Sequence, residues 1–266
     1  PYRRQRQMCI RDRRKLTLLA TAIAALCAWA DLPVKLVNNS GGEFADSDIY
    51  IAIIGKQGKD AAAHDIYYDI AATANNGYCT TGNLTTGLNT LHLTGGDWGY
   101  ANIFTRLSDI KDKTIYLGDT YACRMFVSFK SPMYMHVHET GGYAGADMNN
   151  PTDPNANLRW ELIEFTYEPS SSQIWINTTR VDAFQYPMGL ELYSSGNIAG
   201  PDHIKRGEFT TYQEVISKWN SSLGGTVYKD CLYNLITKDN LGGIIKQPSK
   251  VSSIKSANIF LSLIHI

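Results

Sequence analysis

The stretch Arg159–Leu192, RWELIEFTYEPSSSQIWINTTRVDAFQYPMGLEL, decides the fold. Two runs rich in aromatic and β-branched residues flank Glu168-Pro169-Ser170-Ser171-Ser172, which reads as two strands joined by a turn. Successive side chains of a strand alternate between its faces. Ile163, Phe165 and Tyr167 therefore share one face, and Leu162, Glu164 and Thr166 the other. The apolar set belongs in a core, which leaves Glu164 and Thr166 facing outward. On the second run Trp175 and Asn177 share a face. Asp182 lies an odd number of steps from Trp175, so bringing it to the same side requires a bulge or turn around residues 177–180.

Working outward, the chain before this stretch repeats the strand pattern. Short apolar alternations recur at Val34–Val37, Ile49–Ile54, Ile66–Ile70, Leu88–Leu93, Ile103–Leu107, Thr114–Leu117 and Met125–Phe129. Gly- and Asn-rich clusters separate them, the pattern of a mainly β sandwich or barrel. Beyond Leu192, residues 194–201 read as a linker. Phe209–Trp219 places Tyr212, Val215, Ile216 and Trp219 at helical spacing, with Thr210 or Thr211 as cap. This suggests a smaller, partial α/β domain over residues 194–260, following a β domain over residues 31–193.

The ends read differently. Residues 1–13 and 261–266 have the look of adapter- or vector-derived sequence and are set aside. Arg14-Lys15, the apolar run Leu16–Ala28 and the ending Ala28-Trp29-Ala30 form a secretory signal pattern over residues 14–30, shorter than a membrane span. Export to the extracellular space, with no membrane anchor after cleavage, is expected. The C-terminus is expected to be cut short.

Composition narrows the partners. The 266 residues carry 25 basic and 25 acidic side chains. A balanced charge argues against nucleic acid as a partner and suits a neutral polymer. The 16 tyrosines fit sugar stacking, and equally the preference of tyrosine for strands. Outside the discarded leader the cysteines are Cys79, Cys123 and Cys231, of which one pair can bridge in an oxidising compartment. Their spacing fits no zinc motif. His136 and His138 share a strand face and Glu139 takes the other, so half-exposed strand histidines are favoured over a metal site. Asp147–Asn157 reads as a loop of Asx turns rather than a calcium site, placed to form one wall of a groove. No metal and no cofactor are expected, and a monomer is.

Two acids on neighbouring strands, Glu164 and Asp182, suit glycoside hydrolysis, which needs one acid to protonate the leaving oxygen and one carboxylate for water or the sugar carbon. Residue spacing alone favours ordinary strand-edge acids. The segments Asn150-Pro-Thr-Asp-Pro-Asn155, Glu164-Phe-Thr-Tyr167 and Trp175-Ile-Asn-Thr-Thr-Arg-Val-Asp182, with the opening Leu32-Pro-Val-Lys-Leu-Val-Asn-Asn-Ser40, resemble glycoside hydrolase family 64 over about residues 32–200. The resemblance implies a thaumatin-like β scaffold, an inverting endo-β-1,3-glucanase and β-1,3-glucan as partner. It makes Glu164 similar to the general acid and Asp182 to the general base, with Thr166, Trp175 and Asn177 as substrate contacts. Two positions depart from the family pattern. Glu168 stands where the family has Asn, and Ala183 where an aromatic follows its Val-Asp. The alternatives are a non-catalytic thaumatin-like β-glucan-binding protein and a membrane-acting defence protein. The second would want a charged or amphipathic surface, which the sequence does not display.

Overall fold

The computed structural model describes residues 31–59, 64–74, 78–91, 99–178, 180–193, 203–233 and 239–256. The expected leader, both adapter-like ends and the expected linker at 194–201 lie outside the described residues.

The first strands are β1 (Leu32–Lys35), β2 (Ile49–Lys56), β3 (Asp65–Ala74), β4 (Tyr78–Asn83), β5 (Thr105–Arg106), β6 (Thr114–Leu117) and β7 (Thr120–Phe129). Next come β8 (His136–Val137), β9 (Tyr143–Ala144), β10 (Trp160–Glu168) and β11 (Gln173–Thr178). The last are β12 (Ala183–Phe184), β13 (Gly189–Tyr193), β14 (His203–Gly207), β15 (Leu232–Tyr233) and β16 (Ile244–Lys246). The main sheet runs β1-β6-β4-β3-β2-β7-β10-β11, with β5 paired to β2 off this path. The mainly β expectation is met.

This sheet is buried on both faces at its centre, which is why β2 reads as a continuous apolar run instead of an alternation. Ile51, Ile53, Met125, Val127, Ile163 and Phe165 pack on one face. Ala52, Ile54, Phe126, Leu158 and Trp160 pack on the other, with Leu162 and Tyr143 against them. The alternation read from Arg159–Leu192 holds, since Ile163 and Phe165 are buried and Glu164 and Thr166 are not.

Strand β10 thus carries one face from core to open surface. Trp160 is buried, Leu162 half-buried, and Glu164 and Thr166 continue the same row beyond the packed layer. Its hairpin with β11 turns through a short 3-10 segment, Pro169–Ser171, closed by Ser172 in the left-handed region at φ 52°.

The last part packs onto this sheet. Helix α1 (Tyr212–Leu223) starts at Thr211, whose hydroxyl accepts from Glu214 N at 3.2 Å while the Glu214 carboxylate accepts from Thr211 N at 2.9 Å. This reciprocal capping satisfies two otherwise free helix-end donors. Val215, Ile216 and Trp219 pack around Cys231, Ile245 and Ile254, the last in the short helix α2 (Ser252–Ser256). Strands β12, β16 and β15 form a three-stranded sheet beside them. Arg159, 1% exposed, ties this region down: Nε donates to Asp239 at 2.7 Å and Nη2 to the Gly242 carbonyl at 2.9 Å, and the guanidinium lies over Tyr212.

Three expectations change. Leu88–Leu93 is not a strand where described: Leu88 closes a 3-10 turn and Leu91 makes a lone bridge to Tyr100. Residues 92–98 lie outside the described residues. The strand carrying His136 ends at Val137, so His138 falls in the following turn, exposed. The His136 ring is engaged by Asn89 and the Gly99 carbonyl, each at 3.3 Å. Finally, Cys79, Cys123 and Cys231 are all free thiols, so the expected bridge is not formed among the described residues. Burial pushes each thiol up to about 11.

Candidate active site

Where the outer row of β10 leaves the packed layer, it opens a cavity of about 440 Å³ lined by Glu164, Thr166, Trp175 and Asn177, together with Arg124, Tyr143, Asp65 and Lys56. The antiparallel register explains the grouping. Glu164 pairs Asn177 on β11 and Arg124 on β7, and Thr166 pairs Trp175. Cross-strand partners place their side chains on one face about 5 Å apart.

Glu164, with its side chain 34% exposed, accepts from Arg124 Nε at 3.0 Å. Arg124 Nη1 in turn donates to the Tyr143 hydroxyl at 3.2 Å. The charged neighbour of Glu164 is therefore this guanidinium. The nearby aromatics do not enclose it: Phe165 points to the opposite face and Trp160 sits two pleat repeats back along the strand, in the core.

Thr166 has a double position. Its hydroxyl accepts from Ala122 N at 3.0 Å, while the Thr120 hydroxyl accepts from Tyr167 N at 2.9 Å. The β10–β7 register shifts between Phe165 and Tyr167, and Ala122 takes φ 49° there. A bulge leaves ladder groups unpaired, and these two hydroxyls satisfy the backbone donors it frees. This irregularity lies between β10 and β7 and is separate from the bulge or turn anticipated around residues 177–180, where β10 and β11 pair without a shift through Thr178. Thr179 lies outside the described residues.

Trp175 is 50% exposed on the edge strand β11. The Lys59 amine lies 5.7 Å from its ring centroid and forms an ion pair with Glu168.

Asp182 is placed elsewhere. It is not among the described residues lining the cavity. Its carboxylate pairs with Lys250 Nζ at 2.9 Å, and its carbonyl accepts from Gln247 N at 2.9 Å. The segment carrying it is clamped from below: Arg180 bridges Glu161 and Glu208, each at 2.6 Å, and the Glu161 carboxylate accepts from Gln185 N at 2.7 Å and Tyr186 N at 2.8 Å. The Asp147–Asn157 loop also departs from expectation. It holds the predicted Asx turns, with Asn149, Thr152 and Asn155 donating from their backbone N–H to Asp147, Asn150 and Asp153. It lines a separate hollow of about 40 Å³ with Lys246 and Tyr233, not the Glu164 cavity.

Four of the five predicted residues meet at one cavity, then, and the fifth stands apart. Sequence reasoning missed Arg124, Tyr143 and Asp65. Arg124 carried a signal, an arginine inside the apolar run Thr120–Phe129, but its partner was set by strand register.

A family model described as β-1,3-glucanase, glycoside hydrolase family 64, matches residues 30–262. The chain belongs to glycoside hydrolase family 64. Solved members of this family are similar over most of it. A laminaripentaose-producing β-1,3-glucanase from Paenibacillus barengoltzii is 30% identical, with a TM-score of 0.66 over 83% of this chain and 49% of that one. A structure of that enzyme complexed with laminarihexaose matches equally well, at 29% identity. A family-64 β-1,3-glucanase domain from Clostridium beijerinckii is 25% identical, with a TM-score of 0.65 over 82% of this chain and 54% of that one. The chain spans about half the length of these solved relatives. No curated protein matches it significantly.

Proposed function

We propose that this chain forms the catalytic groove of an inverting endo-β-1,3-glucanase. Glu164 is the general acid, Asp182 the general base, and Thr166, Trp175 and Asn177 contact the sugar chain. The observation that carries this reading is the convergence of Glu164, Thr166, Trp175 and Asn177 on one open cavity in a family-64 chain. Glu164 protonates the departing glycosidic oxygen while a carboxylate on the opposite side of the ring takes a proton from water. Inversion needs the two carboxyl groups roughly 6.5–9.5 Å apart, leaving room for that water. Arg124 and Tyr143 orient Glu164 toward the groove.

For Asp182 the reading requires the Lys250 pair to open when glucan is bound. Both side chains are over a third exposed or close to it, at 39% and 34%. Surface pairs of this kind contribute about 0–1 kcal/mol, so little opposes the opening. The same placement favours a second reading, a β-glucan-binding protein without hydrolysis. Export through the leader at residues 14–30 is part of the proposal and rests on the sequence pattern there.

Purified protein should release reducing ends from laminarin or curdlan. Glu164→Gln and Asp182→Asn should each lower the rate by about 10²–10⁴-fold and leave glucan binding in place. Binding without hydrolysis at any pH supports the second reading. Loss of activity in Asp65→Asn but not in Asp182→Asn would transfer the base to the cavity-lining acid. Net retention at the anomeric carbon of the first product contradicts inversion.

A further inference from the structure

We infer that Lys59 and Glu168 form a latch over Trp175 that sets how a glucan chain engages this end of the groove. The inference rests on Trp175 being a sugar platform.

Lys59 follows β2 through a tight turn at Gly58, whose φ of 70° suits glycine and where a side chain would meet the Asp119 carboxylate at 3.0 Å. From this turn Lys59 reaches across to the β10–β11 hairpin. There its amine does two things. It lies 5.7 Å from the Trp175 ring centroid and pairs with Glu168. Glu168 shares the face of Glu164 and Thr166, and it sits diagonally from Trp175, two register positions along from the Thr166–Trp175 pair. Its side chain is 14% exposed and its second oxygen accepts from Ser171 Oγ at 3.3 Å, so the anchor is held while the 62% exposed Lys59 is the movable part.

The negative face of an indole attracts one cation, or stacks against the C–H face of a sugar, but does not do both at one spot. Glucan is neutral and offers no charge to replace the amine. A sugar ring settling on Trp175 must therefore displace Lys59, and the pair with Glu168 opposes that displacement. Trp175 lies diagonally across the β10–β11 ladder from Glu164, so a glucan chain bound at Glu164 meets this cost. The latch thus makes glucan binding depend on salt, since added salt screens exposed charge pairs.

The test measures laminarihexaose binding by calorimetry in the Glu164→Gln background, at low and high NaCl. Lys59→Ala should tighten laminarihexaose binding by about two- to five-fold at low salt, the strength of an exposed cation–π contact. Salt should tighten binding to the Lys59 protein, and the two should converge at high NaCl. Lys59→Arg should keep the salt dependence. Unchanged or weaker hexaose binding in Lys59→Ala overturns the latch. Trp175→Ala serves as the separate control: if it leaves hexaose binding intact, the platform reading itself fails, whatever Lys59 does.

Discussion

Of the three glutamates on strand β10, Glu161 and Glu164 lie three residues apart, each beside an arginine, and they live in opposite surroundings. Glu161 is buried, pairs with Arg180 and accepts two backbone N–H bonds. Glu164 pairs with Arg124 at the mouth of an open cavity. Three steps along a strand turn a side chain to the other face, so the same residue type is delivered once to the interior and once to the groove. The buried pair pins the segment from Arg180 to Tyr186 onto the sheet. The open pair leaves a carboxylate within reach of a ligand.

The contrast can be broken at several points. The largest effect should come at the open end, where Glu164→Gln removes hydrolysis of laminarin by about 10²–10⁴-fold with the fold intact by circular dichroism. At the buried end the cost moves from rate to stability. Glu161→Ala leaves Arg180 without its buried partner and frees two backbone donors, and should cost about 3–5 kcal/mol in urea denaturation. An unfolding midpoint equal to that of the unaltered protein would remove the clamp.

The pH dependence of stability sharpens the same point. Burial, opposed by Arg180, raises Glu161 to about 7. An acid whose folded value lies above its unfolded one binds more protons when folded, so its contribution is present below the unfolded carboxyl range and is lost as pH rises toward 7. Urea midpoints of the unaltered protein should fall across this window relative to Glu161→Gln. Parallel curves would contradict that assignment. The smallest effect should be the stability change of Glu164→Ala, within about 1 kcal/mol, because an exposed pair contributes little.

Several parts of this molecule were legible from the chain alone. The period-two pattern told inward Ile163 and Phe165 from outward Glu164 and Thr166. The spacing of Tyr212, Val215, Ile216 and Trp219 marked the helix, although it begins at Tyr212, where Thr211 caps it, and not at Phe209. The Leu88–Leu93 run misled because apolar alternation over a few residues suits a turn packed on a core as well as a strand. The Asp147–Asn157 loop was right in its turns and wrong in its neighbour, since Asx turns are local and docking is not.

What the sequence by itself determined is which face of β10 each side chain takes, because alternation depends only on local backbone geometry. Only the tertiary structure decided whom those side chains meet. Arg124 and Lys59 come to Glu164 and Trp175 from strands and turns far away in the chain, and Asp182 goes to Lys250. Strand register and loop path fix such partners through contacts between distant segments, and a linear pattern carries no record of them.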